Sequence, residues 1–556
     1  MLKNVFIFIV AISFFISCSP EKQKVDLIIH NAVIYSVDSS FAIYEAMAIK
    51  EGKVVEVNSN DVILNKYSSV NNNDLNGKAV FPGFIDAHCH FLGYGLGLQQ
   101  VNLIGTRSFN DVIKRVVDFT NNKPADHTKM PSSLGNEDWI IGRGWDQNDW
   151  ENKQYPNKNK LDSLFPETPV MLTRIDGHAA LVNSEALKRA GITANTKNST
   201  GGQIELAGGK LTGILIDNAV DMVTSFIPKT GKEKLENALL NAQNNCLAMG
   251  LTTVDDAGLM KHEIDVIDEI QKSGKLKMRV YAMLSDSEPN YAYYLKHGIY
   301  KTDKLNVRSF KFYADGALGS RGACLLNDYK DKQNWKGFLL SEQKHFEKYA
   351  KMMVEKGFQM NTHCIGDSAY KVILTTYLKA GAKRENRWRI EHAQVVSPGE
   401  MKISDGIIPS VQPTHATSDM YWAKDRLGAQ RVKYAYAYKD LLTVCGLVAL
   451  GTDFPVEDIS PFKTFFAAVA RQDSKGFPKD GFQKENALTR EETLKGMTIW
   501  AAYSNFEENE KGSLEKGKFA DFIILDNDIM KCKLDEVLKT KVLTTYINGE
   551  RVFELK

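Results

Sequence analysis

Six side chains suited to metal or proton chemistry follow short apolar runs along this chain. His88 and His90 close FPGFIDAHCH, Lys311 lies in RSFKFYADG, His363 in THCIGD, His392 in RIEHAQ and Asp453 in GTDFP. Imidazole and carboxylate are the usual ligands of zinc and of several other divalent ions. Strand alternation turns His88 and His90 to one face with Cys89 opposite, so both rings can reach one ion. Singly, each signal is weak, because most H-x-H pairs are ordinary histidines and a strand-end Asp is commonly a helix cap. Jointly they say more: four of the 11 histidines and one aspartate recur in register with a single structural repeat.

That repeat alternates short apolar strands with amphipathic helices. Leu235, Leu239, Ala242, Cys246 and Met249 share one helical face before Gly250 stops the helix, and the strand LTTVDDAG follows. The same order returns after Ser341, with Phe346, Tyr349, Ala350, Met353 and Val354 on one face, then Gly357 and FQMNTHCIGD. Eight such strands, AVFPGFIDAHCH, LTTVDDAG, RVYAML, RSFKFYADG, FQMNTHCIGD, RWRIEHAQ, IIPSVQPTH and LVALGTDFP, predict a TIM-like (β/α)8 barrel rather than a doubly wound sheet. In such a barrel the reactive groups sit at the C-terminal strand ends, where the ligand-type residues fall.

The barrel is expected over residues 81–514, with an insertion at about 91–228 that is too long for one crossover and roofs the mouth. Gly93, Gly95 and Gly97 do not make a dinucleotide loop, since no helix start follows them. Short alternating strands in 25–80 and again in 515–556 predict a small β-sandwich satellite built from both ends of the chain.

With 556 residues, 43% hydrophobic and 25% charged, the chain can bury a large core, and a net charge of +2 without a basic run excludes a nucleic-acid binder. A small molecule is the expected partner, and self-association is left open. Seven scattered cysteines argue against a disulfide framework. Lys3, the apolar stretch Val5 to Ile16 and the box Phe15-Ile16-Ser17-Cys18 read as a lipoprotein leader over 1–18, with 19–24 as a tether. The expectation is export and a lipid anchor on Cys18, on a periplasmic or outer-membrane face, with free secretion as the alternative.

FPGFIDAHCH, KFYADGALGSRGA, THCIGD, RIEHAQ and GTDFP resemble the motifs of the amidohydrolase superfamily over nearly the whole mature chain. DGHAALVNS, VQPTHATSD and GSLEKGKFADFIILD resemble its branch containing N-substituted formamide deformylase. The resemblance implies that His88 and His90 bind one metal, that His363 and His392 bind a second, and that Asp453 completes the set. It implies that Lys311 is a carbamylated lysine bridging the two; the alternative is that Lys311 pairs with Asp315 or Asp453, leaving one metal. Zinc is the first choice, with manganese, iron or nickel open on ligand type. A bound divalent ion brings the pKa of water toward about 7, and Asp453 would carry the proton to a leaving nitrogen. Asp86 would orient an imidazole or serve only as a turn residue.

His178 and His415 are expected to hydrogen-bond a substrate carbonyl, and Trp145, Asp146, Asp315 and Arg321 to face the pocket. The expected reaction is hydrolysis of a non-peptide C–N bond in a small amide or formamide. Ester, lactone or phosphoester hydrolysis on the same site, or a noncatalytic binding lipoprotein, are the alternatives.

Overall fold

In a computed structural model, which describes residues 21–121, 139–228 and 230–556, eight parallel strands pair in chain order. They are β1 (Phe84–Cys89), β2 (Leu251–Leu259), β3 (Arg279–Ser285), β4 (Leu305–Tyr313), β5 (Gln359–Cys364), β6 (Arg389–His392), β7 (Ile408–Val411) and β8 (Ala449–Leu450). The expected eight runs thus form the barrel in the expected order. Cys18 and the leader lie outside the described residues. Strand β8 has only two residues, and the ring closes just beyond it: Asp453 N donates to His88 O at 2.7 Å and His90 N to Phe454 O at 2.8 Å.

Helices such as Lys261–Lys272, Gln343–Lys356 and Asp367–Ala380 return the chain between strands, each burying one apolar stripe on the barrel. The Gly-rich stretch after His90 is itself a helix, Phe91–Gly97, and the element that follows it is the short strand Val101–Asn102. Its glycines permit close packing on Lys232–Ala248: a Cβ on Gly95 would lie 2.2 Å from Ala238 O. His90 is the N-cap of this helix, so the contact also sets where that ring stands. Gly95→Ala should lower the unfolding free energy by about 1–3 kcal/mol through overpacking. An unchanged denaturation midpoint would show the contact to be loose.

Both ends of the chain build the satellite. One sheet runs Lys53–Asn58, Ala46–Lys50, Leu27–His30, Asn72–Asp74; the other includes Val542–Ile547, Phe522–Leu525 and Ala79–Pro82. Alternation divides the labour, with Phe522 and Ile524 meeting Leu27, Ile29 and Met47 between the sheets while Ile523 and Leu525 pack on the barrel. Gln23–Lys24, in the expected tether, pairs instead with Tyr67–Ser68, because its backbone lies beside that strand. Arg279, at the start of β3, is buried under the satellite and holds Asp521 at 2.6 and 3.0 Å.

The insertion carries a six-stranded sheet of its own, including Ile140–Trp145, Val170–Arg174, Ala179–Val182 and Lys210–Asp217. Leu172 and Leu181 enter one apolar cluster, Met171 and Ala180 another, so both faces are covered. Its strand ends and turns bring Arg143, Asp146, Arg174 and His178 to the barrel mouth.

Candidate metal centre

Two backbone irregularities aim the side chains at the mouth. On β1, Asp86 pairs with Val254 and Cys89 with Asp256, so three steps oppose two. Such a bulge rotates the side chains beyond it. His88 turns inward, where its Nδ1 bonds the Glu391 carboxylate and its Nε2 lies 3.0 Å from Lys311 Nζ. Asp86 turns to the seam instead, accepting from Thr452 N at 3.0 Å and Thr452 Oγ1 at 2.6 Å, so it touches no imidazole. The expected orienting role belongs to Glu391.

The second irregularity is left-handed backbone at His392 (φ 69°) and Asp453 (φ 60°). For non-glycine residues this costs about 1–3 kcal/mol each and persists where the surroundings impose it. Asp453 Oδ1 thereby stands 3.2 Å from His90 Nε2 and 3.7 Å from His88 Nε2, and its Oδ2 lies 3.6 Å from His415 Nε2. The His392 ring is 4.5 Å from that of His363 and 4.8 Å from that of His88, with Gln412 Oε1 2.8 Å from its Nδ1.

Burial governs the electrostatics. Burial first, then the field of Lys311, pulls His88 down to about 4. Burial pushes His363 and His392 well below the ordinary imidazole value, which keeps one nitrogen of each ring free of a proton. Burial brings Lys311 down to about 8. For Asp453 burial acts upward, but His90, 3.2 Å away, and the fields of the surrounding imidazoles hold its carboxyl well below the usual range.

The donor set suits a divalent ion. Ligand atoms of His88, His90 and Asp453, and of His392, His415 and Asp453, lie within 4.8 Å of one another. His363 Nε2, His415 Nε2 and Asp453 Oδ1 are buried without a hydrogen-bond partner among the described residues. Orphaned acceptors at such depth are what a bound cation would satisfy.

Among the other candidates, Asp146 and His178 reach the mouth. Asp146 holds Arg174 Nη2, and His178 Nδ1 is 2.7 Å from Asp217, its ring 5.1 Å from that of His363. Three expectations are corrected. Trp145 is 1% exposed, packs inside the insertion and donates from Nε1 to Leu172 O at 2.7 Å, because its ring belongs to the apolar face of its strand. Trp145→Phe should therefore lower stability by about 1–3 kcal/mol by stranding that carbonyl, with KM unmoved; a raised KM would restore the substrate contact. Asp315 is fully buried and taken up by the backbone N–H groups of Cys324, Ile365 and Gly366; its Oδ1 lies 3.8 Å from His363 Nε2, and it lines neither cavity at the mouth. Arg321 turns to Asp331, 2.8 Å away, and lines neither cavity at the mouth.

Sequence reasoning missed Glu391, Gln412, Asp217 and Arg143. Glu391 stood beside His392 in RIEHAQ, but alternation sets neighbours on opposite faces, and only the turned backbone at His392 brings both to one centre. The mouth opens into two cavities, of about 400 Å³ beside His392, His415 and Asp453 and about 460 Å³ beside His90, His178 and Tyr313.

Residues 73–553 match the model of a family described as Amidohydrolase family. The chain is 32% identical to Protein LONG AFTER FAR-RED 3 of Arabidopsis thaliana, over 96% of this chain and 92% of that protein. It is 24% identical to N-substituted formamide deformylase of Arthrobacter pascens, over 96% of this chain and 99% of that protein. A crystal structure of an uncharacterized metal-dependent hydrolase from Pyrococcus horikoshii OT3 superposes with a TM-score of 0.73 at 26% identity, over 92% of this chain and 99% of that one.

Proposed function

We propose, since this chain belongs to the amidohydrolase family, that it is a metal-dependent hydrolase cleaving the non-peptide C–N bond of a small amide or formamide. The observation that carries the reading is the convergence of buried, unpartnered donor atoms from opposite sides of the barrel on one spot. His88, His90 and Asp453 would hold one divalent ion, zinc by ligand preference, and His363 and His392 a second, with His415 in reach of Asp453. Such an ion supplies Lewis acidity and a lowered water pKa.

The chain's own groups supply the rest. Asp453, ionised at neutral pH, takes up a proton at a carboxylate oxygen and returns it to the leaving nitrogen, without which an amine leaves poorly. His178, backed by Asp217, donates to the carbonyl oxygen as it gains charge. Lys311, buried and with an amine that sheds its proton near neutral pH, is suited to capture carbon dioxide as a carbamate. The formamide named for the Arthrobacter relative supports that substrate class. The leader ending at Cys18 supports export with a lipid anchor.

The test is metal content and turnover together. Purified mature protein should carry one to two equivalents of divalent metal and hydrolyse N-substituted formamides or N-acyl amines, losing activity to a chelator and regaining it with zinc or manganese. Protein that retains no metal after loading would overturn the reading.

A further inference from the structure

The cavity of about 400 Å³ beside His392 and Asp453 has a wall whose charges are not balanced. Its two cations are already committed: Arg174 to Asp146 and Asp176, and Lys463 to Asp458 at 2.6 Å. Among the described residues no lysine or arginine pairs with Asp419 or Glu457 on that wall. These two carboxylates meet at a single hydroxyl. Ser418 Oγ lies 2.6 Å from Glu457 Oε1 and 3.5 Å from Asp419 Oδ1. A hydroxyl has one proton to give, so it can serve only one of them.

Tyr436 and Gln394 satisfy the far oxygen of Asp419, at 2.8 and 3.1 Å, leaving its near oxygen toward Ser418. Trp422 lines the same space and adds an aromatic surface. At the floor lie His415 Nε2 and Asp453 Oδ1, neither with a hydrogen bond among the described residues, in residues only 9% and 5% exposed. The wall, half-buried at Asp419 and Glu457 and open to solvent at Ser418, therefore belongs to a cavity that ends at orphaned donors. Burial pushes both carboxyls up to about 7, and the neighbouring Glu457 adds to this at Asp419. A cation between them would restore both charges.

We infer that the substrate carries an alkylammonium group away from the bond that is cleaved, and that Asp419 and Glu457, with Trp422 beside them, receive it. This rests on the amide-hydrolase reading of the site. It narrows the substrate class to amides or formamides of amines bearing a second, protonated amine, and it makes these residues determinants of specificity.

Two measurements test it on the full mature protein. In the first, hexylammonium and hexanol are titrated calorimetrically, with no chemistry involved; the amine should bind about 10-fold tighter or more, as a desolvated charge pair implies. Glu457→Gln and Asp419→Asn should each bring the ratio near one, and Glu457→Lys should make hexanoate the preferred ligand, so one soluble variant suffices. In the second, monoformyl-1,6-diaminohexane and N-hexylformamide are compared as substrates, and the difference should fall in KM rather than kcat. Equal binding of amine and alcohol, a preference that survives all three variants, or displacement of the amine by calcium or magnesium at Glu457 would each overturn the inference. Amine binding without turnover of any amide would keep it and overturn the amide-hydrolase reading instead.

Discussion

Asp453→Asn keeps its metal and loses turnover. The amide retains the size of the carboxylate and one oxygen able to bind an ion, but it cannot accept a proton. Positioned proton transfer contributes about 10²–10⁴-fold, and kcat should fall by that factor. His90 at 3.2 Å and the left-handed backbone at Asp453 hold the side chain in place, so the substitution does not simply release it. Metal content measured by mass spectrometry should stay near the parent's while kcat collapses. Parent-like hydrolysis of formamides by Asp453→Asn would sink the assignment of the proton carrier.

Glu391→Gln strikes both stability and metal binding. The carboxylate is wholly buried, with Arg389 Nε 2.7 Å from one oxygen and His88 Nδ1 on the other. Burial acts upward on its pKa, but Arg389 and His88 hold it well below the usual carboxylate range. Breaking a buried pair by removing one partner costs about 3–5 kcal/mol. Asp255, 2.9 Å from Arg389, remains to share that charge and places the expected loss at the lower end. His88 and Arg389 then compete for the one neutral oxygen that glutamine keeps, so the bond that fixes the His88 tautomer and ring plane is weakened or lost. Such a change typically lowers metal affinity by about 10–100-fold. Denaturant unfolding and chelator competition should both register the change. A variant matching the parent in both would show that Glu391 neither orients His88 nor balances Arg389.

The strands were legible because each is an apolar run bounded by turn residues, and the ligand-type side chains were legible because they stand at the ends of those runs. The terminal segments could be matched as one satellite because both alternate with period two, so one face of Phe522–Leu525 serves the sandwich and the other the barrel. What could not be read is direction. The bulge that turns His88 away from Asp86 leaves no mark in FPGFIDAHCH, and the positive φ at His392 and Asp453 falls on residues with no glycine to announce it. The same blindness sent Trp145 to the pocket: GRGWDQNDW shows two indoles and two carboxylates, and only the strand's placement in the inserted sheet decides that the Trp145 ring is packing and that Asp146 lines the cavity. Charge compensation at the mouth was equally hidden, since Arg174 reaches Asp146 across 28 positions of chain.

The short final strand has a consequence for how this protein comes into being. Ala79–Pro82 must wait for Phe522–Leu525 to pair with it, and His88 must wait for Asp453, so both stay unfinished until segments far along the chain have been made. A nascent chain halted before GTDFP has an open ring and leaves the donor cluster without Asp453.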